Sequence, residues 1–248
     1  MFKSFESTSQ GPVLCCPPLD SLSPPPKHCY RLKGHFKAAR LEAKESFLKR
    51  SPVSSPVETT WAGGRRFVGR KLLVLDMDET LVHATAPADG DYRLKVTEGF
   101  EIGLKLRPFV RDFLAKMSQM YEIAVFTSSQ QAYADTVLNF LDPENCLIHH
   151  RLYRQHCSFQ AGTAAKDLRV FTGVDLRDIV ICDNLISNFA LQLENGVPVK
   201  TWTGAKDDKE LVLLCQYLVR LAGVKDVREV NRETFKLSLR LSTHCNSP

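Results

Sequence analysis

Acidic residues directly follow a run of aliphatic residues in the stretch "LLVLDMDETLVHAT", residues 72–85. Asp76, Asp78 and Glu79 stand at the end of a segment whose pattern predicts a buried strand. Two carboxylates within a few ångströms repel each other and resist desolvation, so keeping both ionised requires a cation. A divalent metal fits, and an all-oxygen site suits Mg²⁺. The alternative interpretation is a solvated acidic turn that caps a helix.

Two aspartates at this spacing also suit acid–base and nucleophilic chemistry. One carboxylate could attack an electrophilic centre while the other transfers a proton, because two acids in different environments can take different roles. Thr127 follows the apolar run "IAVF", and Asp183 and Asn184 follow "IVIC". In open α/β sheets ligands bind beyond the carboxyl ends of the strands, so we expect these side chains to gather near Asp76.

The elements that must position these residues alternate from Lys71 onwards. The predicted strands are "KLLVL", "YEIAVFT" and "RDIVICD", and the predicted helices are "RPFVRDFLAKMSQM", opened by its proline, "QQAYADTVLNFL" and "DDKELVLLCQYLVRLAG", ending at Gly223. Strands that alternate with helices predict an α/β fold with a doubly wound, mostly parallel sheet. The stretch "DYRLKVTEGFEIGLKLRP" alternates around Glu98-Gly99, which predicts a small β-hairpin inserted over the site.

Composition predicts one main domain with extensions. The chain has 248 residues, of which 44% are hydrophobic, and a formal net charge of +5. We expect a mostly disordered, Ser/Pro-rich basic extension over residues 1–68, a catalytic domain over 69–240 and a short tail over 241–248. The mild basic charge favours an acidic or phosphorylated partner but falls short of direct nucleic-acid binding.

Cysteine usage and hydropathy indicate a protein of a reducing compartment. The eight cysteines are scattered and lack metal-binding spacing. No apolar run is long enough to span a bilayer, so we expect no transmembrane segment and a nuclear or cytosolic location. A fatty acyl chain on Cys15 or Cys16 would change that location, and this alternative stays open. We expect a monomer.

The segment "DMDETLVH" resembles the D-x-D-x-T signature of haloacid dehalogenase-like phosphatases. It is most similar to the branch that dephosphorylates the C-terminal domain of RNA polymerase II, which includes small C-terminal-domain phosphatases and a nuclear-envelope phosphatase. Further motifs of that branch follow in order over about residues 70–225, namely "LRPFVRDFL", "VFTSSQQAYADTVLNFLDP", "RLYRQHC", "KDL" and "ICDNLISNF". The resemblance implies a Rossmann-like phosphatase domain and favours the nucleus, with a cytoplasmic or partner-mediated nuclear-envelope location as the alternative.

The resemblance implies a role for each matched residue. Asp76 would be the nucleophile that becomes an aspartyl phosphate, and Asp78 would transfer the proton. Asp76, the backbone carbonyl of Asp78 and the side chain of Asn184 would hold Mg²⁺. Thr127 would donate a hydrogen bond to the phosphoryl group and Lys166 would place a positive charge beside it.

Other residues are expected to support the site or contact substrate. Thr80 would order the loop, and Asp183 would support Lys166 or the metal shell. Tyr133 and Arg154 match family positions that contact substrate. The predicted hairpin carries more apolar residues than a solvated ribbon needs, so we expect one face to pack on the domain and the remainder to line an apolar wall beside the phosphate site, with Phe100 and Ile102 in contact with substrate. In the resembling family such a wall receives a proline near the phosphoserine.

One departure from the family pattern bears on activity. The family has Asp-Asn-Ser-Pro where this chain has Leu185 and Ile186 after Asn184. Loss of the proline and the hydroxyl predicts a looser loop and weaker metal binding. Three functions therefore remain open: a phosphoserine/phosphothreonine protein phosphatase acting on a Ser-Pro segment, such as the RNA polymerase II C-terminal domain; a small-metabolite phosphatase; and a weakly active phosphoprotein-binding scaffold.

Overall fold

The computed structural model describes residues 70–160 and 163–238 of the chain. The expected extension over 1–68, the Cys15-Cys16 pair and the tail over 241–248 lie outside these residues. In the described part no helix is long and apolar enough to cross a membrane.

A five-stranded parallel sheet forms the centre of the domain. Its strands are β1 (Lys71–Leu75), β5 (Tyr121–Phe126), β6 (His150–Leu152), β9 (Ile179–Asp183) and β10 (Gly196–Pro198), in the spatial order β10-β9-β1-β5-β6. The chain starts at the middle strand, fills one side of the sheet and then returns to fill the other. The direction of winding therefore changes beside β1, where doubly wound sheets bind ligands. The expected α/β fold is confirmed.

In the described residues four α-helices accompany the sheet, with bounds α1 Val110–Ser118, α2 Gln131–Leu141, α3 Glu210–Ala222 and α4 Val227–Phe235. Helix α1 packs against α3. Each helix buries a stripe of residues spaced three to four apart, as for Leu211, Leu214, Leu218 and Leu221 of α3. This covering explains why every residue of β1, β5 and β9 is buried.

The predicted hairpin is present but belongs to a larger inserted sheet. Strands β3 (Tyr92–Thr97) and β4 (Phe100–Leu106) pair antiparallel, and β2 (Val82–Thr85) pairs with the other edge of β4. Gly99 has φ 77° in the turn, a conformation that glycine adopts without steric cost. The insertion between β1 and α1 is therefore a compact three-stranded sheet spanning residues 82–106.

Several elements differ from the sequence expectation. Helix α1 begins at Val110 rather than at the proline, because Phe109 adopts a left-handed conformation with φ 67° and interrupts the first turn. The expectation missed the short strands β6 and β10, the pair β7 (Ser158–Gln160) and β8 (Thr163–Ala165), helix α4 and a 3-10 helix over Ile186–Asn195. Most of these elements are too short to show a periodic hydrophobic pattern.

Two glycines differ sharply in the space around them and provide a test of the packing. A Cβ on Gly196 would lie 2.1 Å from the buried ring of Phe189, whereas one on Gly223 would meet nothing within 4 Å. We expect Gly196→Ala to lower the free energy of unfolding by roughly 1–3 kcal/mol because the ring must shift. Gly223→Ala, the matched control, should change it by about 0.5 kcal/mol or less. Denaturant unfolding measures both, and equal values would show that Phe189 relaxes freely.

Candidate active site

A buried lysine joins two carboxylates at the carboxyl edge of the sheet. The Lys166 Nζ donates to Asp76 Oδ1 at 2.5 Å and to Asp183 Oδ2 at 2.7 Å. Asp76 directly follows β1 and Asp183 ends the neighbouring strand β9, while Lys166 follows β8. The side chains of Lys166 and Asp183 are fully buried, and that of Asp76 is 7% exposed. The structure thus brings together three residues that are far apart in sequence.

The charges of this cluster stabilise one another. Burial alone would lower the pKa of Lys166, but the carboxylates of Asp76 and Asp183 outweigh it and raise that pKa above its ordinary value. Burial raises the pKa of Asp183, against the opposing effect of the Lys166 ammonium. Lys166 therefore stays protonated and supplies a fixed positive charge beside the Asp76 carboxylate.

The loop after β1 orients the second oxygen of Asp76. The Thr80 hydroxyl donates to Asp76 Oδ2 at 2.7 Å, and Thr80 is fully buried. The turn is closed by the amides of Leu81 and Val82, which donate to the Met77 carbonyl at 2.9 and 3.2 Å. Glu79 has φ 57° in this turn, an uncommon conformation for a residue with a side chain. The hydrogen bond from Thr80 links this loop to Asp76, and the role of Thr80 in ordering the loop stays a prediction.

Asp78 receives hydrogen bonds from hydroxyl groups. Tyr133 donates to its Oδ1 at 2.5 Å, Ser129 to its Oδ2 at 2.7 Å and Thr127 to the same Oδ2 at 3.4 Å. Burial raises the pKa of Asp78 more than the hydrogen bonds from Tyr133 and Ser129 lower it. A carboxyl whose pKa lies above its usual range holds a proton more readily than an ordinary aspartate, which suits a group that must donate and then recover a proton.

Asn184 lies on a loop that is fixed by Asp183. Asp183 Oδ1 accepts from the Leu185 amide at 2.8 Å, and both its oxygens accept from Asn188 Nδ2, at 3.0 and 3.1 Å. The Asn188 amide donates to the Leu185 carbonyl at 3.0 Å. These bonds hold the backbone without the proline of the family pattern, and the looser loop expected from Leu185 and Ile186 stays a prediction.

The donor set expected for a metal fits a hard cation. Asn184 Nδ2 donates to Thr201 Oγ1 at 3.2 Å, so the amide oxygen is the atom of this side chain that a metal would use. A carboxylate of Asp76, the carbonyl of Asp78 and this amide oxygen would form an all-oxygen set of the kind Mg²⁺ prefers. No cluster of three His, Cys, Asp or Glu suited to a metal occurs in residues 70–160 and 163–238. The proposed set needs no such cluster, since two of its three ligands are an amide and a backbone carbonyl.

The residues expected to contact substrate fall into two groups. Tyr133 and Arg154 border the site, because Tyr133 contacts Asp78 and the Arg154 amide donates to the Ser129 carbonyl at 3.0 Å. On the inserted sheet, Phe100 is 52% exposed, but Ile102 is 6% exposed and packs in the core. The burial of Ile102 corrects the expectation that it lines an accessible wall: its side chain points into the domain.

Comparison with known proteins identifies the family of this chain. The family model described as NLI interacting factor-like phosphatase matches residues 71–228. The chain belongs to this family. A CTD small phosphatase-like protein 2 of Dictyostelium discoideum is 43% identical over 66% of this chain and 30% of its own length. A CTD nuclear envelope phosphatase 1 of Xenopus tropicalis is 36% identical over 66% of this chain and 72% of its own length.

A solved structure of Fcp1, an essential RNA polymerase II CTD phosphatase, aligns with a TM-score of 0.46. It is 24% identical over 62% of this chain and 51% of that chain. The matched region is 30% of the length of the Dictyostelium relative, so that match concerns the phosphatase domain. The resemblance drawn from "DMDETLVH" is confirmed at the level of the family.

Three residues of the family domain escaped the sequence analysis. Ser129 holds Asp78, and Asn188 holds Asp183, as described above. Arg107 is 1% exposed; it donates to the Thr80 carbonyl at 3.0 Å, to the Lys200 carbonyl at 2.9 Å and to Asp208 at 2.8 Å. It thereby ties the nucleophile loop to the segment that carries Thr201, the partner of Asn184. The sequence does contain a clue to Arg107, the arginine before the proline of "LRPF", but that motif indicates the family resemblance and not the structural role of the arginine.

We expect the contacts of Arg107 to stabilise the folded domain around the site. Arg107→Gln should lower the free energy of unfolding by roughly 3–5 kcal/mol, because it leaves the buried Asp208 carboxylate without its cation. The matched control is Arg93→Gln, since Arg93 pairs with Glu101 at 3.4 Å on the exposed face of the insertion. That change should cost about 1 kcal/mol or less. If denaturant unfolding showed similar losses of stability for the two variants, Arg107 would not be stabilising the site through these buried contacts.

Proposed function

We propose that the chain is a Mg²⁺-dependent protein serine/threonine phosphatase that acts through an aspartyl phosphate on Asp76. The observation that carries the proposal is the placement of Asp76. Its carboxylate is held by Lys166 and Thr80 at the carboxyl end of β1, and Asp78 lies two residues away. A fixed nucleophile, a fixed positive charge and a nearby acid are the parts that phosphoryl transfer requires.

In the first step, an Asp76 oxygen attacks phosphorus in line with the ester oxygen of the substrate serine or threonine. The new O–P bond forms as the ester P–O bond breaks, and Asp78 donates its proton to the leaving oxygen. In the second step, Asp78 takes a proton from water, whose oxygen attacks phosphorus. Inorganic phosphate leaves and the Asp76 carboxylate is regenerated.

Fixed donors balance the charge that builds up during both steps. The Lys166 ammonium stabilises charge on the phosphoryl oxygens, and the Thr127 hydroxyl is positioned to donate a hydrogen bond to one of them. Asp183 keeps Lys166 in place. Mg²⁺, held by Asp76, the Asp78 carbonyl and Asn184, would supply further positive charge to the phosphoryl group. Family membership supports this assignment of roles.

A phosphoprotein is the favoured substrate over a small metabolite. The insertion after β1 is a compact three-stranded sheet rather than a separate capping domain, so a polypeptide can approach the carboxyl edge of the central sheet. The names of the relatives refer to CTD phosphatases, which supports a Ser-Pro phosphoprotein, with the RNA polymerase II C-terminal domain as one candidate. The same names support a nuclear or nuclear-envelope location.

A weakly active scaffold is the less favoured function. It rested on the replacement of Ser-Pro by Leu185-Ile186, and the hydrogen bonds of Asp183 and Asn188 fix that loop by other means. The side chains proposed for catalysis are all present, namely Asp76, Asp78, Thr127, Lys166 and Asn184. The proposal also includes two expectations: the chain is a monomer, and it makes no direct contact with nucleic acid.

We predict that Asp76→Asn abolishes turnover of a phosphopeptide, because the amide cannot act as the nucleophile. The measurement is phosphate release by the full chain with Mg²⁺, together with denaturant unfolding. The matched control is Asp89→Asn, at an exposed position outside the site, which should keep full activity. Unchanged turnover by Asp76→Asn, or full activity in excess chelator, would refute the proposed mechanism.

The insertion yields a prediction about peptide recognition. Phe100→Ala should raise the Michaelis constant for a Ser-Pro phosphopeptide more than for a small aryl phosphate, with a loss of about 1–3 kcal/mol in transition-state binding. The physical reason is that the exposed ring can cover a proline, whereas an aryl phosphate does not reach it. The control is Ile102→Ala, which should lower stability and affect both substrates alike. Equal effects of Phe100→Ala on the two substrates would exclude a contact with the peptide.

A further inference from the structure

A cavity of about 360 Å³ opens beside the loop that follows β5. Six residues from two stretches of the chain line it: Gln130, Gln131, Arg154, Gln155, Cys157 and Phe159. Neither Asp76 nor Asp78 is among them, so the cavity is distinct from the reaction centre. Its volume is large enough for a side chain of the substrate.

The cavity shares a wall with the reaction centre. The Arg154 amide donates to the Ser129 carbonyl at 3.0 Å, and the Cys157 thiol contacts the Thr127 carbonyl at 3.7 Å. Thr127 and Ser129 also donate to Asp78 from the other side of the same loop. A group bound in the cavity would therefore lie close to the residue whose phosphate is removed.

The lining carries positive charge and no negative charge. Arg154 is the charged member of the six lining residues. Its guanidinium lies over the Phe159 ring, 4.7 Å from the centroid, and donates a long hydrogen bond of 3.4 Å to the Ser128 carbonyl. A guanidinium held over an aromatic ring keeps its remaining N–H groups available to an anionic acceptor. An anion fits such an edge better than a neutral or cationic group.

Amide groups complete the lining. Gln155 Nε2 donates to Gln131 Oε1 at 3.2 Å, which orients the Gln131 amide nitrogen as a further donor. Gln130 and Gln131 begin helix α2, and no described side chain caps that end of the helix or places an acidic group in its first turn. The positive end of the helix dipole adds to the charge of Arg154.

We propose that this cavity binds a second anionic group of the phosphoprotein substrate, near the phosphorylated residue in sequence. The group is either the carboxylate of Asp or Glu or the phosphate of a second phosphoserine, since the guanidinium and amide donors suit both. The proposal rests on the proposed function and adds a substrate preference to it: segments with an acidic or doubly phosphorylated neighbourhood are favoured over neutral ones.

The test uses the full chain and a set of Ser-Pro phosphopeptides. Each peptide carries Gln, Glu or phosphoserine at one flanking position, and the position is moved in turn along both sides. At one or two positions the anionic residue should raise kcat/KM about fivefold over Gln, the gain expected for a partly exposed charge contact. A larger gain from phosphoserine than from Glu identifies phosphate as the preferred group, and the reverse identifies a carboxylate.

A charge placed in the cavity tests its location. Gln155→Glu should remove the preference for anionic peptides, so the ratio of kcat/KM for anionic and neutral peptides should fall about fivefold. The matched control is Gln119→Glu, an exposed residue before β5 at the opposite edge of the sheet, which should leave the ratio unchanged. A ratio of one at every position, or an unchanged ratio in Gln155→Glu, overturns the proposal. If none of the phosphopeptides were turned over, the proposed function itself would be refuted.

Discussion

The Lys166 ammonium, buried between Asp76 and Asp183, is the interaction on which the site depends. Two carboxylates end neighbouring strands at the point where the winding of the sheet reverses, and they would repel each other there without a cation. Removing one member of such a buried group leaves an uncompensated charge, at a cost of roughly 3–5 kcal/mol. The lysine therefore stabilises the fold and prepares the nucleophile through the same contacts.

Around that buried cluster, the polar residues become more exposed towards the surface. Asp76, Thr80, Thr127, Lys166 and Asp183 are buried, whereas Asp78, Ser129, Tyr133 and Asn184 are partly exposed. The groups that must keep one charge state are thus shielded from water, and those that must exchange protons or contact substrate are within its reach. Hydroxyl donors serve the second group because they can rotate to follow a change in protonation.

The sequence predicted the parts of the molecule that follow local rules. The long apolar runs gave β1, β5 and β9, and the acidic motif after β1 indicated Asp76 and Asp78. Ser129, Arg107 and Asn188 escaped because their roles depend on partners 5 to about 100 residues away. The burial of Ile102 escaped too, since periodicity shows that a strand has an apolar face but not where along the strand that face leaves the core.

The contacts of Arg107 also fix the base of the insertion. Its amide donates to the Leu81 carbonyl at 3.1 Å, and its guanidinium donates to the Thr80 carbonyl, so the chain leaves and re-enters the domain at one fixed point. The intervening strands pack on the domain through the buried Ile102 and Leu104, whereas Phe100 lies on their exposed face. That exposed face can vary during evolution without moving the nucleophile, which allows one catalytic core to acquire different substrates.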